Sequence, residues 1–184
     1  MKLRLITEPA RDLASTAEFT DAMAALASGV VIVTCRLDGR PWGMTVTAFA
    51  TVSAAAPTVL VSLGSDSIGA RAITATRRFG VGILAEDQLG VARFGATPGA
   101  AKFLERFVEP DDRSSASPVV TAALAHLDCE LSDAVQVADH TVFFGRVRAA
   151  RASEAGTPLL YHQRAYRALT DHPSTERSTT CLAN

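Results

Sequence analysis

Val30-Val31-Ile32-Val33-Thr34-Cys35-Arg36-Leu37-Asp38-Gly39-Arg40-Pro41-Trp42 begins as a β-branched run and breaks at an Asp-Gly pair. Both central positions of a tight hairpin turn need φ > 0, which Asp and Gly tolerate, so the pair joins two extended runs as a β-hairpin. The second arm, Trp42 to Ser53, alternates. Thr45, Thr47, Phe49, Thr51 and Ser53 share one face, and Val46, Ala48, Ala50 and Val52 share the other.

Working outward, Pro57 opens a third strand, Thr58 to Leu63, and Gly64-Ser65-Asp66-Ser67 forms a polar turn. A helix over Ile68 to Thr76, a strand over Phe79 to Leu84 and a helix from about Gln88 to Phe94 follow. Residues 95–118 are irregular, and Pro110 to Ser115 has the composition of a surface loop. Long strands are expected at Leu127–Val137 and Thr141–Ala152, with Asp139-His140 at their turn. A short pair, Thr157–Tyr161 and Tyr166–Leu169, closes the pattern. On the N-terminal side, Thr16 can cap a helix carrying Phe19, Met23 and Leu26, which Gly29 ends. The domain is thus expected over 16–169, after an extension at 1–15 and before a loose Ser/Thr-rich tail at 170–184. Six or more strands, mostly joined by hairpins, predict a mainly β fold. The expected form is a closed antiparallel barrel with flanking helices.

The 184 residues carry 18 Lys+Arg against 19 Asp+Glu, which leaves no excess charge for a nucleic-acid backbone. No apolar run reaches the ~20 residues of a membrane span, and Met1-Lys2-Leu3-Arg4 leads into polar residues, so a cytoplasmic protein is expected. Only 6% of residues are aromatic, so the core must be largely aliphatic. Cys35, Cys129 and Cys181 are too scattered for a disulfide framework. His126, His140, His162 and His172 share no short motif that would propose a metal.

Three places could carry chemistry. The Thr45/Thr47/Thr51/Ser53 face suits a flat hydrogen-bonding ligand or a phosphate, although Thr also simply favours strands. Gly64 to Ser67, ahead of a helix, reads equally as a phosphate seat and as a serine cap. His140 beside Asp139 can offer a hydrogen bond or a proton, or be a solvated histidine, and His162 is as ambiguous. No GxGxxG or GxxxxGK[ST] loop and no nucleophile with a triad is present.

Taken in order, the pieces carry a resemblance. Gly43-Met44-Thr45-Val46-Thr47-Ala48-Phe49-Ala50-Thr51-Val52-Ser53 resembles the GMT-x-[ST]-[SA]-F-x-[ST]-V-S strand of the short-chain flavin reductases. The likeness runs on through Pro57 to Leu63, Ser67 ahead of Ile73, Phe79 to Leu84, and Glu105-Arg106-Phe107. It continues through Pro118-Val119-Val120, Leu127-Asp128-Cys129-Glu130, Asp139-His140 before Phe143 to Val147, and Pro158 to His162.

The resemblance implies an FMN-binding split barrel, Greek-key-like and homodimeric, that uses NADH or NADPH to reduce FMN or FAD. It also implies a partner monooxygenase that receives the reduced flavin. Carried over, Thr45, Val46, Thr47 and Ala48, with Gly43 and Met44 before them, meet the flavin ring. Ser62, Leu63, Gly64, Ser65 and Ser67 hold its phosphate or ribityl end. Arg106 and Phe107 lie near the flavin, and Asp139 and His140 meet the nicotinamide. No catalytic acid or base is implied, because the cofactors carry the hydride chemistry; His140 is a positioning residue. Gly69, Gly82 and Ala138 depart from the family's usual Thr, Asn and Gly. The alternative is a split-barrel flavoprotein that holds FMN tightly, as an oxidase or a non-enzymatic carrier.

Overall fold

The computed structural model describes residues 13–99, 101–110, 115–153 and 155–170. Most of the expected N-terminal extension, Asp111 to Ser114 of the surface loop, His172, Cys181 and the tail beyond Thr170 lie outside these residues.

The elements run α1 (Thr16–Ala24), β1 (Ser28–Gly29), β2 (Val31–Leu37), β3 (Arg40–Val46), β4 (Phe49–Ser53), β5 (Thr58–Gly64), α2 (Ile68–Thr76), β6 (Arg78–Ile83), α3 (Leu89–Ala96), β7 (Ala125–Val137), β8 (His140–Ala152), β9 (Leu159–His162) and β10 (Ala165–Ala168). Helix α1 is capped by Ser15 rather than Thr16. The Ser15 hydroxyl accepts from the Glu18 amide while the Glu18 carboxylate reaches back, a reciprocal capping box. Asp38 and Gly39 turn the first hairpin at φ 50° and 78°, as the Asp-Gly pair requires.

Seven antiparallel strands form one sheet in the order β3-β2-β6-β7-β8-β5-β4, and β1, β9 and β10 form a small second sheet. The expected single strand over Trp42–Ser53 is in fact two. Val46 pairs with Val31 and Phe49 with Val61, at opposite ends of the sheet. Laid flat, seven strands would separate their edges by roughly 29 Å, at ~4.8 Å per strand. Three residues of chain span at most about 11 Å. The sheet therefore has to curl until its two ends meet, and Thr47-Ala48 crosses between them. The expectation of a closed barrel is corrected accordingly: no ladder joins β3 to β4, and the barrel has a seam.

The two faces of β2 enter different cores. Val31 and Val33 join Val61, Phe79, Val81 and Phe143 inside the barrel, where α2 adds Ala70 and Ile73. Ile32 faces outward into a second cluster with Leu84, Val91, Ala92, Leu104 and Leu159. Both faces are covered, which is why every residue from Val30 to Cys35 is buried and all but Thr34 are apolar. The Cys35 and Cys129 thiols are buried, and burial pushes each up to about 12. Among the described residues no helix is long and apolar enough to cross a membrane.

Candidate functional site

The seam determines which of the expected site residues meet. Ser62 donates its amide to the Ala48 carbonyl (3.0 Å), which fastens the crossover to β5. Thr47 and Ala48 are exposed, and their own amides find no acceptor among the described residues. Two residues further along β5, Gly64 pairs with His140 of β8. The Ser65 amide donates to the Asp139 carbonyl (2.9 Å), and the Ser65 and Thr141 hydroxyls share a hydrogen bond of 2.9 Å. The Gly64–Ser67 turn and the Asp139-His140 turn, more than 70 residues apart in the chain, are thus stitched together.

Ser67 fills the capping half of its dual reading. Its hydroxyl accepts from the Ala70 amide (3.1 Å), which leaves the Ile68 and Gly69 amides at the helix start without a partner among the described residues. The same turn lies against β3. A Cβ added at Gly69 would come to 3.0 Å from both Met44 Sδ and the Trp42 ring, so the close approach of α2 to β3 crowds the family's usual Thr unless these side chains give way. At Gly82 a Cβ would crowd Ile32 at 3.2 Å.

Thr45 is engaged elsewhere. Its hydroxyl donates to the Ala92 carbonyl (2.8 Å), which holds α3 on the opposite face of β3. On that side Phe94 and Phe107 pack with centroids 5.3 Å apart, and the Arg106 guanidinium lies 4.5 Å from the Phe107 ring centre. Among the described residues no hydrogen bond or ring contact joins Arg106 or Phe107 to Ser62–Ser67 or to Asp139-His140. They belong to the α3 wall, and Phe94 is a partner that the sequence reading did not name.

His140 Nδ1 lies 2.9 Å from Asp139 Oδ1, with both side chains exposed. The His140 hydrogen bond holds the Asp139 carboxyl below its usual range. His140 is the first residue of β8 rather than a turn residue. The turn is made by Ala138, at φ 52°, and Asp139. An alanine in that left-handed conformation is strained, and glycine, the family's usual residue there, is not. His162 begins no comparable network; it pairs with Ala165 across the β9–β10 turn.

Thr47, Ala48, Asp139 and His140 are exposed, whereas Leu63 is buried in the barrel core. The cavity of about 570 Å³ between Glu86-Asp87, Val119–Leu124, residues 151–153 and residues 155–157 is lined by none of the expected residues. Sequence reasoning also missed a buried polar cluster. Asp128 accepts from the Ser115 hydroxyl (2.6 Å), the Ala116 and Ser117 amides (3.1 and 2.9 Å) and the Ser117 hydroxyl. Both serine hydroxyls spend their protons on other acceptors, so His126 Nε2 must carry a proton and donate it to Ser117 Oγ at 3.1 Å. His126 and Asp128 two apart on a strand share a face, a signal the sequence did contain.

The sequence profile of the flavin reductase like domain family matches residues 23–170. The chain belongs to that family. Flavin reductase relatives cover most of its length. It is 37% identical over 147 residues to the reductase component of a 4-nitrophenol 4-monooxygenase/4-nitrocatechol 2-monooxygenase from Rhodococcus opacus, covering 80% of this chain and 77% of the relative. It is 34% identical over 164 residues to the NADH-dependent flavin reductase StyB of Pseudomonas fluorescens, covering 85% and 89%. The solved flavin reductase of styrene monooxygenase from Pseudomonas putida S12 superposes with a TM-score of 0.74 at 32% identity, over 84% of this chain and 99% of that one.

Proposed function

We propose that this flavin reductase family member is an NAD(P)H:flavin oxidoreductase that reduces FMN or FAD and delivers the reduced flavin to a separate monooxygenase. The observation that carries this reading is the stitching of the seam, the Ser65–Ser67 turn and the His140 turn along one edge. The residues present fit a flavin. Exposed amides at Thr47 and Ala48 suit the ring carbonyls, and unpartnered amides at Ile68 and Gly69 suit a phosphate at a helix start. Flavin and nicotinamide, when bound, supply the hydride donor and acceptor. The protein's share is to hold the two rings in register and to set fixed N–H dipoles where negative charge grows on the reduced ring. No side chain is required as an acid or base, and His140 acts by positioning.

Relatives named as the reductase component of a monooxygenase and as an NADH-dependent flavin reductase support a flavin that is reduced and passed on, so the tightly bound alternative is not favoured. NADH is the nicotinamide named for the Pseudomonas relative and is the first to test. The domain occupies residues 16–169 in this reading, and the protein works in the cytoplasm, where NADH is supplied. Crossing FMN and FAD with NADH and NADPH in a steady-state assay tests the activity. A colourless protein that oxidises NADH only when flavin is added is the expected result, and no flavin-dependent oxidation would reject the reading.

In this account His140→Ala raises KM for NADH by roughly 10-fold, the loss of about 1.4 kcal/mol of binding. The fall in kcat is smaller and flavin affinity is unchanged. A fall in kcat of ~100-fold with a new pH dependence would mean that the imidazole transfers a proton instead.

A homodimer is part of the same proposal. Helix α1 buries none of its residues, and Phe19, Met23 and Leu26 are 58%, 44% and 57% exposed. An exposed apolar patch of this kind suits a second copy. Sedimentation is expected to give a dimer at micromolar concentration. A fully active monomer would count against it.

A further inference from the structure

Glu130 of β7 lies directly opposite Arg78 of β6 on one side and Arg146 of β8 on the other. Side chains opposite one another across a ladder share a face. Cys129 and Leu131 point into the barrel, so this row stands on the outside. A β-bulge flanks Glu130 on each side. In one, Arg148 is the extra residue on β8; in the other, Ser132 is the extra residue on β7. Bulges re-aim side chains, and here Arg148 and Ser132 line a cavity of about 290 Å³ with Arg77, Glu130, Leu131 and Arg146.

Two of these arginines are held in place. Arg77 donates from Nη2 to the Leu131 carbonyl (2.9 Å), and Arg148 donates from Nε to the Glu130 carboxylate (2.6 Å). The guanidinium groups of Arg146, and of Arg78 beside the cavity, make no hydrogen bond or ion pair among the described residues. The hydrogen bond from Arg148, and then the charges of Arg148, Arg78 and Arg146, hold the Glu130 carboxyl below its usual range, so all of them act on one spot. One carboxylate does not neutralise four guanidiniums, in a chain whose net charge is −1. Like charges gathered on one face repel unless an anion joins them.

We propose that this cavity is an anion site for a phosphate-bearing ligand of the pyrophosphate type, separate from the flavin face. Guanidinium forks match phosphate oxygens in pairs, and Arg146 offers one that no other described side chain uses, while Arg77 and Arg148, already held in place, add positive charge at little ordering cost. A recess of this volume takes a small anion rather than a protein segment. Arg77 caps the C-terminal end of α2, whereas Ser67 caps its other end, about 15 Å away at 1.5 Å per residue. The two sites therefore do not share a phosphate.

The test is calorimetric titration of the full-length protein with inorganic pyrophosphate at low ionic strength, with no flavin or nicotinamide present. Its result is thus independent of the reductase reading. One saturable site per chain is expected, weakening as salt rises. Arg146→Ala should weaken it roughly 10-fold or more, and Arg167→Ala, on the separate small sheet, should not. Flavin reduction by Arg146→Ala should match the parent protein and show that it folds. A parallel titration with ADP separates the sources: tighter binding of ADP through Arg146 assigns the site to a nucleotide, and binding of pyrophosphate alone assigns it to the inorganic anion. No saturable binding of either, or equal binding by the parent protein and Arg146→Ala, overturns the proposal.

Discussion

Asp128→Ala is expected to destabilise the fold by roughly 3–5 kcal/mol, the cost of removing one member of a buried, hydrogen-bonded charge network. The substitution would strand the Ser115 and Ser117 hydroxyls and the Ala116 and Ser117 amides, all of which now point at the carboxylate. Burial by itself would raise the Asp128 pKa. The adjacent His126 and hydrogen bonds from Ser115, Ser117 and the Ala116 amide outweigh it and hold the carboxyl well below its ordinary range. A carboxyl depressed in the folded state stabilises that state at pH values above its unfolded pKa of about 3.9, and the contribution is lost progressively as pH falls below it. Urea unfolding at pH 7 measures the first effect. A series taken down through pH 4 measures the second, and the acid limb should flatten in Asp128→Asn. An Asp128→Ala protein within 1 kcal/mol of the parent would show that the cluster is hydrated instead of buried.

The second large effect is a coupling inside the barrel. A Cβ at Gly145 would overlap the Phe79 ring and lie 2.9 Å from the Cys129 Cβ, so the ring covers a position that only glycine leaves free. Phe79 is fully buried, and Phe79→Ala should cost about 3–5 kcal/mol. Gly145→Val overpacks the same spot and should cost about 1–3 kcal/mol. In the double variant the valine enters the space vacated by the ring. The combined loss should fall short of additivity by more than the ~0.5 kcal/mol scatter seen for independent sites. Strict additivity in urea titrations would mean that the two residues do not share that space.

Elements with local causes were legible in the sequence. The Asp38-Gly39 turn follows from two residues that tolerate positive φ, and α2 occupies the expected Ile68–Thr76 because Ser67 caps it. The break at Thr47-Ala48 was not legible, since alternation continues straight through it. A period of two reports which face a residue occupies, not which strand lies beside it. The site shows the same division. Ser67 and His140 could be named one by one, but the hydrogen bonds between Ser65 and Asp139–Thr141 depend on the register of β5 with β8, which no short window contains. The resemblance names Thr45 for the flavin, and no short window shows that its hydroxyl donates to the Ala92 carbonyl of α3. The Ser115–Asp128 cluster was missed because half of it lies in the irregular stretch before β7.

The seam also sets where the native state can open. A fully closed barrel has no first strand to peel, so amide hydrogen exchange anywhere in its ladder would require breaching the whole ring. Here β4 is a terminal strand, paired on one side only and short, with Ala50, Thr51 and Val52 exposed. It can detach while the β6–β7–β8 centre stays protected. Partial opening of this kind is drawn from the least stable part of a fold, and in this chain that part borders Ala48 and Ser62, the edge at which flavin binding is proposed above.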